Sequence, residues 1–575
     1  MAASSLEEEE YFFPNGAHVL PWDRFRRWIT CFCVVTFDIE VGQAMEMVYP
    51  SHIELTEKEK TNICYLAFPD SNSGCMGDTE FHFRIRCSPQ SSLTRSICGK
   101  VESAVPLEFR ADLAHYYGFV YFRQVKDPSI QRGYFQKSLV LISRLPYLNL
   151  FNEVVRTLAP EFFENGLPSL EAACNNIDQW PEPEAGHTLQ LPLLGNVLQV
   201  RVPSRSDKPG AVSSPDGPMN INVMTPIPSP KVIPTLKEPD TLRFLQPVVA
   251  HIHLLWELVI CNEPIVVMAP TPNMCSNTVQ VLVNLISPLH FCSDYRPFFT
   301  IHDSEFKEYT TRTQAPPTVI LGVTNPFFAK TLQHWPHVVR IGEMSNLVVS
   351  SRKSPSIGQP SKRNLSSKPG IYTKYKPMLN RDKTILRKLS KGNHPKRPPE
   401  VQNAILRRHM IELTQSFMIP LERYVAGLMP LQKSISPWKH PPRLKNFDIE
   451  EFIETLNDYG PQLTSKHKGN WILLYRKFFK SPNFEGWLYH RQHEIVQKLK
   501  LLHLEALGSA DVLSWIQGKS EVEVVDLYLQ IKEKLAHINS FYPPVSEETK
   551  TQLGQHLKTI SDTFPSDLKF VLTNS

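Results

Sequence analysis

From Trp28 to Phe37 the run WITCFCVVTF is apolar position after position and rich in aromatic and β-branched residues, the pattern of a central strand covered on both faces. Gly42 supplies a turn, Gln43 to Val48 alternates as a second strand, and Tyr49 and Pro50 end it. Thr56 with Glu59 three residues on forms a capping box, which predicts a helix carrying Ile63 and Leu66 up to the break at Pro69. Phe81 to Cys87 alternates as a half-buried strand does. Tyr117 to Val125 and Tyr134 to Ser143 predict two more strands, with Gly133 where a hairpin would turn. After Pro146, Leu150, Val154 and Leu158 fall on one helical face. Two strands, helix, three strands and helix make one small α/β unit.

Nine prolines stand among serines and glycines between Val202 and Asp240, a composition that predicts a linker or insertion. From Thr241 to Gly342 helical spacings (Leu254 to Val259, Thr278 to Ile286) alternate with strand-like runs (Ile265 to Met268, Phe298 to His302, Val319 to Val323, Val338 to Ile341). That alternation predicts a second α/β unit with a mixed or parallel sheet. Arg352 to Arg397 holds fourteen Lys or Arg residues against one acid, Asp382, and reads as an exposed basic connector. Beyond it Leu406, Met410, Leu413 and Phe417 share a helical face that Pro420 kinks or restarts before Tyr424 and Leu428. Ile495, Leu499, Leu502 and Ala506 repeat the spacing up to Gly508, as do Val524, Tyr528, Ile531 and Leu535, so the last third is expected to be all-helical.

With 575 residues and 41% hydrophobic content the chain should divide into about two to four compact units. A net charge of +5 at 21% charged residues is far from the bias of a dedicated nucleic-acid binder, and only Tyr372 and Tyr375 interleave the basic stretch, so no nucleic-acid partner is expected. Attraction of that stretch to anionic lipid or an acidic partner is the lesser reading beside a solvated connector. The ten cysteines lie mostly in apolar surroundings without zinc-ligand spacing and read as buried thiols. The start, with Glu7 to Glu10, lacks the features of a secretory signal, and no run reaches the ~18 apolar residues of a membrane helix. A cytoplasmic protein without a transmembrane segment follows as the expectation, any peripheral membrane association going through a partner or a surface patch.

Covalent chemistry finds no support in the motifs. Gly518-Lys519-Ser520 ends like a phosphate-binding loop, but Leu513 stands where the first glycine belongs, so an interhelical turn is the better reading. His493-Glu494 begins like a zinc-protease signature, but Gln497 replaces the second histidine, leaving a polar helix face. Gly74 to Gly77 lacks dinucleotide-site spacing and reads as a tight turn. Ser287, Ser293 and Asp294 read as turn residues beside prolines. No catalytic residue, cofactor or metal is expected; a triad assembled from distant positions remains the one enzymatic reading that spacing leaves open.

RPFFTIHDSEFKEYTTRTQAPPTVILGVTNPFFAK from Arg296 to Lys330, with HWPH at His334 to His337, is too peculiar for generic core. Together with FPDSNSGCMGD (Phe68 to Asp78), YFRQVKD (Tyr121 to Asp127), RGYFQKSLVLISRLP (Arg132 to Pro146) and LTQSFMIPLERYVAGLMPLQKS (Leu413 to Ser434), it closely resembles the DENN-domain proteins of the sixth subfamily. The resemblance implies an α/β plus all-α chain. Its parts would be a disordered N-terminus at 1–20, a longin-like upstream module at 21–201, a Pro-rich linker at 202–240 and a central α/β module at 241–343. A basic connector at 344–400, a helical downstream module at 401–540 and a helical tail at 541–575 would complete it. It also implies a guanine-nucleotide exchange factor for a Rab GTPase, in the sixth subfamily Rab fourteen on recycling endosomes. The linkers at 202–240 and 344–369 depart from the family pattern, which touches lipid or accessory contacts but not the core activity.

An exchange factor needs no nucleophile, only tighter binding to the GTPase without nucleotide. The resemblance places the GTPase contacts on the upstream and central modules. The candidates are His302, Asp303, Glu305, Phe306, Glu308 and Tyr309, with Asn325, Pro326, Phe327 and Phe328, because both segments follow predicted strands and carry aromatic and acidic groups suited to an interface. The competing reading is that Phe306, Phe327 and Phe328 fill the junction between modules. If Glu305 and Glu308 are contacts, their replacement by alanine should weaken exchange at a nearly unchanged melting temperature. A Rab effector or scaffold that binds a loaded GTPase without accelerating exchange is the alternative function.

Overall fold

The structure, a computed structural model, describes residues 22–38, 40, 42–70, 75–88, 104–129, 133–205, 207, 229–342, 368–390, 398–431, 435–441, 443–459, 461, 469–538, 545–565, 568–569 and 572. The N-terminal acidic run, Gly74, Cys98, most of the Pro-rich stretch and much of the basic segment lie outside these residues. The chain is mixed α/β with a helical C-terminal region, and it divides into two compact units, Met1–Ile411 with Lys466–Leu474 and Glu412–Ser465 with Tyr475–Ser575.

In the first unit, α1 (Asp23–Trp28), β1 (Cys31–Asp38), β2 (Gly42–Tyr49), α2 (Glu57–Leu66), β3 (Gly77–Arg86), β4 (His115–Lys126), β5 (Tyr134–Ser143), α3 (Leu148–Asn165) and α4 (Leu167–Asp178) follow in order. The strands form an antiparallel sheet ordered β2-β1-β5-β4-β3, which places β1 in the interior with Cys31 through Val35 buried, as its continuous apolar run requires. The capping box forms: the Glu59 amide donates to Thr56 Oγ1 at 3.3 Å and the Thr56 amide to Glu59 Oε2 at 2.9 Å. Gly118 on β4 lets the Phe83 ring of β3 lie against the backbone, since a Cβ there would stand 2.2 Å from that ring. The expectation of a half-buried β3 is corrected, because Phe81 to Ile85 are buried on both faces. One face joins the sheet's apolar core. Across the other, Asn273 Nδ2 donates to the Glu80 carbonyl at 2.7 Å, so a polar side chain such as Arg84 is enclosed.

Helix α1 is too short to show a periodicity, whereas α4 was passed over although Leu170, Ala173, Cys174 and Ile177 share one buried face; close by, Trp28 meets Trp180 edge to face at 5.5 Å. A three-stranded sheet follows, made of β6 (Thr188–Leu193), β7 (Asn196–Arg201) and β8 (Lys231–Ile233). Its last strand stands inside the Pro-rich stretch, where Pro230 and Pro234 bound three residues with free amides, and pairs parallel with β7, so that stretch is not linker throughout.

Next come α5 (Thr241–Leu245), α6 (Ile252–Ile260), β9 (Ile265–Met268), α7 (Pro272–Asn284), β10 (Asp294–Arg296), α8 (Phe306–Thr310), β11 (Val319–Val323), α9 (Phe328–Thr331), β12 (His337–Arg340) and β13 (Gly370–Thr373). The mixed sheet is ordered β10-β11-β9-β12-β13, with β13 alone antiparallel to its neighbour. Phe298 to His302 is not a strand. Pro297 ends β10, and Phe298 and Phe299 are buried as loop residues, one in the core of the upstream sheet and the other in that of the central sheet. The basic segment also differs from a bare connector, since β13 pairs within it and buried Glu257 of α6 accepts from the Tyr375 hydroxyl and the Met378 and Leu379 amides at 3.2, 2.8 and 2.9 Å. A short helix, α10 (Lys383–Ser390), buries Ile385 and Leu389.

The remaining helices are α11 (Pro399–Gly427), α12 (Ile449–Tyr459), α13 (Trp471–Phe478), α14 (Pro482–Gly508), α15 (Val512–Ile516), α16 (Glu521–Ala536) and α17 (Glu547–Thr563). In the second unit an aromatic core gathers Phe417, Tyr475, Phe478, Phe479 and Phe484, the Phe417 and Tyr475 rings stacked at 4.3 Å. Pro420 sits inside α11 without ending it. Gly518 takes a positive φ of 93° and Ser520 caps α16 through a box with Glu523, which makes Gly518 to Ser520 the interhelical turn expected. Among the described residues no helix is long and apolar enough to cross a membrane, and Cys31, Cys33, Cys64, Cys174, Cys261 and Cys275 are buried.

Candidate functional site

Because β10 and β11 are parallel neighbours, the loops that leave their carboxyl ends emerge on the same side of the central sheet. The first loop is held against β11 by a bond from the Phe299 amide to the Gly322 carbonyl at 2.8 Å. Gly322 makes that approach feasible, since a Cβ would stand 2.2 Å from the Pro297 carbonyl oxygen. Asp303 then accepts from the Glu305 amide at 2.9 Å and turns the chain into α8. Tyr309 and Phe328, from α8 and α9, drop into one apolar cluster with Phe299, Leu321 and Trp335, and the Trp335 indole donates to the Tyr309 carbonyl at 3.2 Å.

These loops meet the upstream sheet and α2. The His302 and Tyr65 rings stack at 4.6 Å, Asn62 Nδ2 donates to Ser304 Oγ at 3.1 Å, and the Ser304 amide donates back to Asn62 Oδ1 at 3.3 Å. The Thr324 hydroxyl donates to Asp70, whose carboxyl burial pushes above its usual range despite that bond. Beside them runs a network of arginines and carboxylates. Arg84 bonds Asp112 at 2.7 Å and Asp294 at 2.6 Å, with its guanidinium 4.4 Å from the centre of the Tyr295 ring. Arg86 reaches Asp294 at 3.3 Å, Glu305 at 3.1 Å and Glu308 at 3.5 Å. Arg296, 2% exposed, pairs with Asp294 at 3.1 Å and with Glu305, and donates to the Arg84 carbonyl at 3.0 Å.

Burial opposes ionisation of Asp112 and Asp294. The His115 bond and the Arg84 charge outweigh it at Asp112, and Arg296 and Arg84 do so at Asp294, holding both carboxyls below the usual range. Asp294 is therefore the hub of a buried network and not the simple turn residue its prolines suggested.

The ten candidates divide by environment. His302, Glu308, Pro326 and Phe327 are exposed, Phe327 by 48%, and Glu305, Phe306 and Asn325 are partly buried. Asp303, Tyr309 and Phe328 are buried, so the expectation that both segments display their aromatic and acidic groups is corrected for these three. Phe306 and Phe327 stack at 6.5 Å and lie next to Phe328, which brings the two segments together at one place. The sequence reading missed Asn62, Tyr65, Arg84, Arg86, Asp294 and Arg296. Arginines alternating with apolar residues in FHFRIRC were the one available signal, and alternation placed them toward solvent.

Such an arrangement offers a stiff rim with an aromatic pair and an acidic edge, suited to holding a protein surface. Among the described residues no group of three or more His, Cys, Asp or Glu side chains is placed to hold a metal ion.

Residues 512–575 match the family model described as DENND6 C-terminal domain, and residues 238–350 the one described as Stabilization of polarity axis. Over 99% of its length the chain is 54% identical to the Mus musculus protein DENND6A, covering 94% of that relative. It is 52% identical to Homo sapiens DENND6B, covering 96% of this chain and 94% of the relative. The Dictyostelium discoideum DENND6 homolog is 34% identical over 93% of this chain and 80% of its own length.

Proposed function

The chain belongs to the DENND6 family, and from that premise we propose that it is a guanine-nucleotide exchange factor acting on a Rab GTPase. The observation that carries this reading is 54% identity sustained over 99% of the chain. The same membership supports a division into upstream longin-like, central α/β and downstream helical modules. Within the family the sixth-subfamily resemblance supports Rab fourteen, in recycling-endosome traffic, as the substrate to test first.

Exchange on this reading is a matter of differential binding. Accelerating nucleotide release ~10⁵-fold demands that the nucleotide-free GTPase be held about 7 kcal/mol more tightly than the loaded one, which an interface of roughly 1,600 Å² supplies without bond chemistry. Glu308, Phe327, Pro326 and His302 are the contacts we assign first, because their side chains are exposed at the rim where two loops meet α2. Asp303, Tyr309 and Phe328 shape that rim from below. Glu305 holds Arg296 and Arg86 in place.

Release of a fluorescent GDP analogue from a panel of purified Rab proteins tests the proposal. At least one Rab, Rab fourteen first among them, should lose nucleotide faster in the presence of this chain. Binding that prefers the GTP-loaded form with no change in release would make the chain an effector instead.

A further inference from the structure

We propose that the cavity enclosed by the end of β3, the segment 107–117 and the loop between α7 and β10 binds a small molecule bearing a phosphate group. Its volume is about 610 Å³, within the roughly 300–1,000 Å³ typical of small-molecule sites. Leu107, Val283 and Leu289 supply apolar wall, and Arg110 and Lys237 are the basic side chains of the lining outside the Arg84 and Arg86 network. None of the ten candidate GTPase contacts lines this cavity, so the inference stands apart from the exchange reading.

Lys237 is the feature that calls for a ligand. It is 8% exposed, and among the described residues its ammonium group has neither a hydrogen bond nor an ion pair. Burial pulls its amine below the ordinary lysine range, against the pull of Glu108 and Glu238. An ammonium on so enclosed a side chain, with no protein partner, is turned toward the cavity's contents, and natural sites satisfy such a charge with an anion. Other carboxylates of the lining are committed, since Asp112 and Asp294 are both bonded to Arg84. Glu108 is the remaining acid. Burial pushes its carboxyl upward toward the neutral form, with the Lys237 charge opposing. The Lys237 ammonium, with three N–H groups to donate and none to accept, fits a negatively charged group that only accepts, and a phosphate monoester is such a group.

Titration calorimetry of the full chain with inorganic pyrophosphate is the test, with a second arm in which phosphatidylcholine vesicles carry or lack a phosphoinositide. Saturable binding of pyrophosphate is expected, weakened about tenfold or more in Lys237→Gln, the loss of one charge-assisted hydrogen bond, and retained in Lys237→Arg. Phosphoinositide-dependent vesicle binding with the same dependence on Lys237 would identify a lipid headgroup as the source of the phosphate. Should Lys237→Gln fail to fold, amine acylation of the wild-type chain followed by peptide mass mapping replaces it. Pyrophosphate should then protect Lys237 where sodium chloride at equal ionic strength does not. Binding in neither arm, or binding that Lys237→Gln leaves unchanged with no protection of Lys237, would overturn the proposal and leave a water-filled Lys237–Glu108 space.

Discussion

Replacing Glu305 by alanine removes a carboxylate from Arg296, a side chain that is 2% exposed. Breaking a buried ion pair by deleting one partner costs about 3–5 kcal/mol when the remaining charge is left alone. Arg296 is not left alone, since Asp294 stays at 3.1 Å and the Arg84 carbonyl at 3.0 Å. The expected cost therefore falls to roughly 2–3 kcal/mol. Glu308 gives the contrast. It is 50% exposed, and its Arg86 partner is 43% exposed and 3.5 Å away, so Glu308→Ala should cost only about 0–1 kcal/mol. The pair thus separates a residue that builds the rim from one that presents it. The earlier expectation of a nearly unchanged melting temperature for both substitutions is revised for Glu305.

Hydrogen exchange read on peptides covering β10 and α8 is the appropriate assay, because a chain of two compact units need not unfold in one transition. Glu305→Ala should lower protection of those peptides by about 30-fold or more, following the ratio that 2 kcal/mol implies, while Glu308→Ala leaves them within a few-fold. In parallel, Glu308→Ala should slow GDP release from the responding Rab without a change in protection. Equal protection in Glu305→Ala and the wild type would refute the assignment of Glu305 as a support, and so would a Glu308→Ala variant as destabilised as Glu305→Ala.

The neighbouring phenylalanines should part in the same way. Phe328→Ala, deleting a fully buried ring, should cost about 3–5 kcal/mol in denaturant unfolding, whereas Phe327→Ala, at 48% exposure, should leave the midpoint in place and reduce exchange activity about tenfold if it is an interface anchor. Glu257→Ala removes the acceptor of the Met378 and Leu379 amides, so those two amides should exchange with solvent at least tenfold faster. Acid should weaken the junction. Asp112 and Asp294 have carboxyl pKa values below the ordinary range in the folded chain, so their contribution is fully present above about pH 4, the unfolded carboxyl value, and fades as pH falls toward the depressed folded values. Protection of β3 and β10 should therefore drop on acidification below about pH 4, and Asp112→Asn should flatten that dependence.

Most of the fold was legible because its signals are local. The capping box at Thr56 and Glu59, the continuous apolar run of β1 and the limits of β9 and β11 each depend on residues within a few positions of one another. Periodicity failed where burial comes from a distant element. Phe298 and Phe299 are apolar because a loop plugs two cores, a role that leaves the same composition as a strand. Gly370 to Thr373 pairs with β12 across a long basic segment whose overall charge concealed four residues of sheet.

The two candidate segments stood out in the sequence but the residues that hold them did not, and the reason is again separation along the chain. Arg84 and Asp294 stand 210 positions apart, and Asn62 and Ser304 stand 242 apart, so no spacing rule connects them. An alternating strand assigns Arg84 to solvent, and only the arrival of α7 and β10 over that face makes the same residue interior. Once interior, its charge must be matched by Asp112 and Asp294, and Arg296 beside it by Asp294 and Glu305. Of the three acids that made Arg296 to Lys330 look like a binding segment, Glu305 is thereby consumed in holding two sheets together and Asp303 is buried in the turn into α8. What stays exposed is Glu308, paired loosely with Arg86, beside the stacked Phe306 and Phe327, a smaller and stiffer rim than the sequence advertised. Stiffness is what an exchange surface requires, because a rim that yields to the loaded GTPase as readily as to the empty one has no differential binding with which to expel a nucleotide.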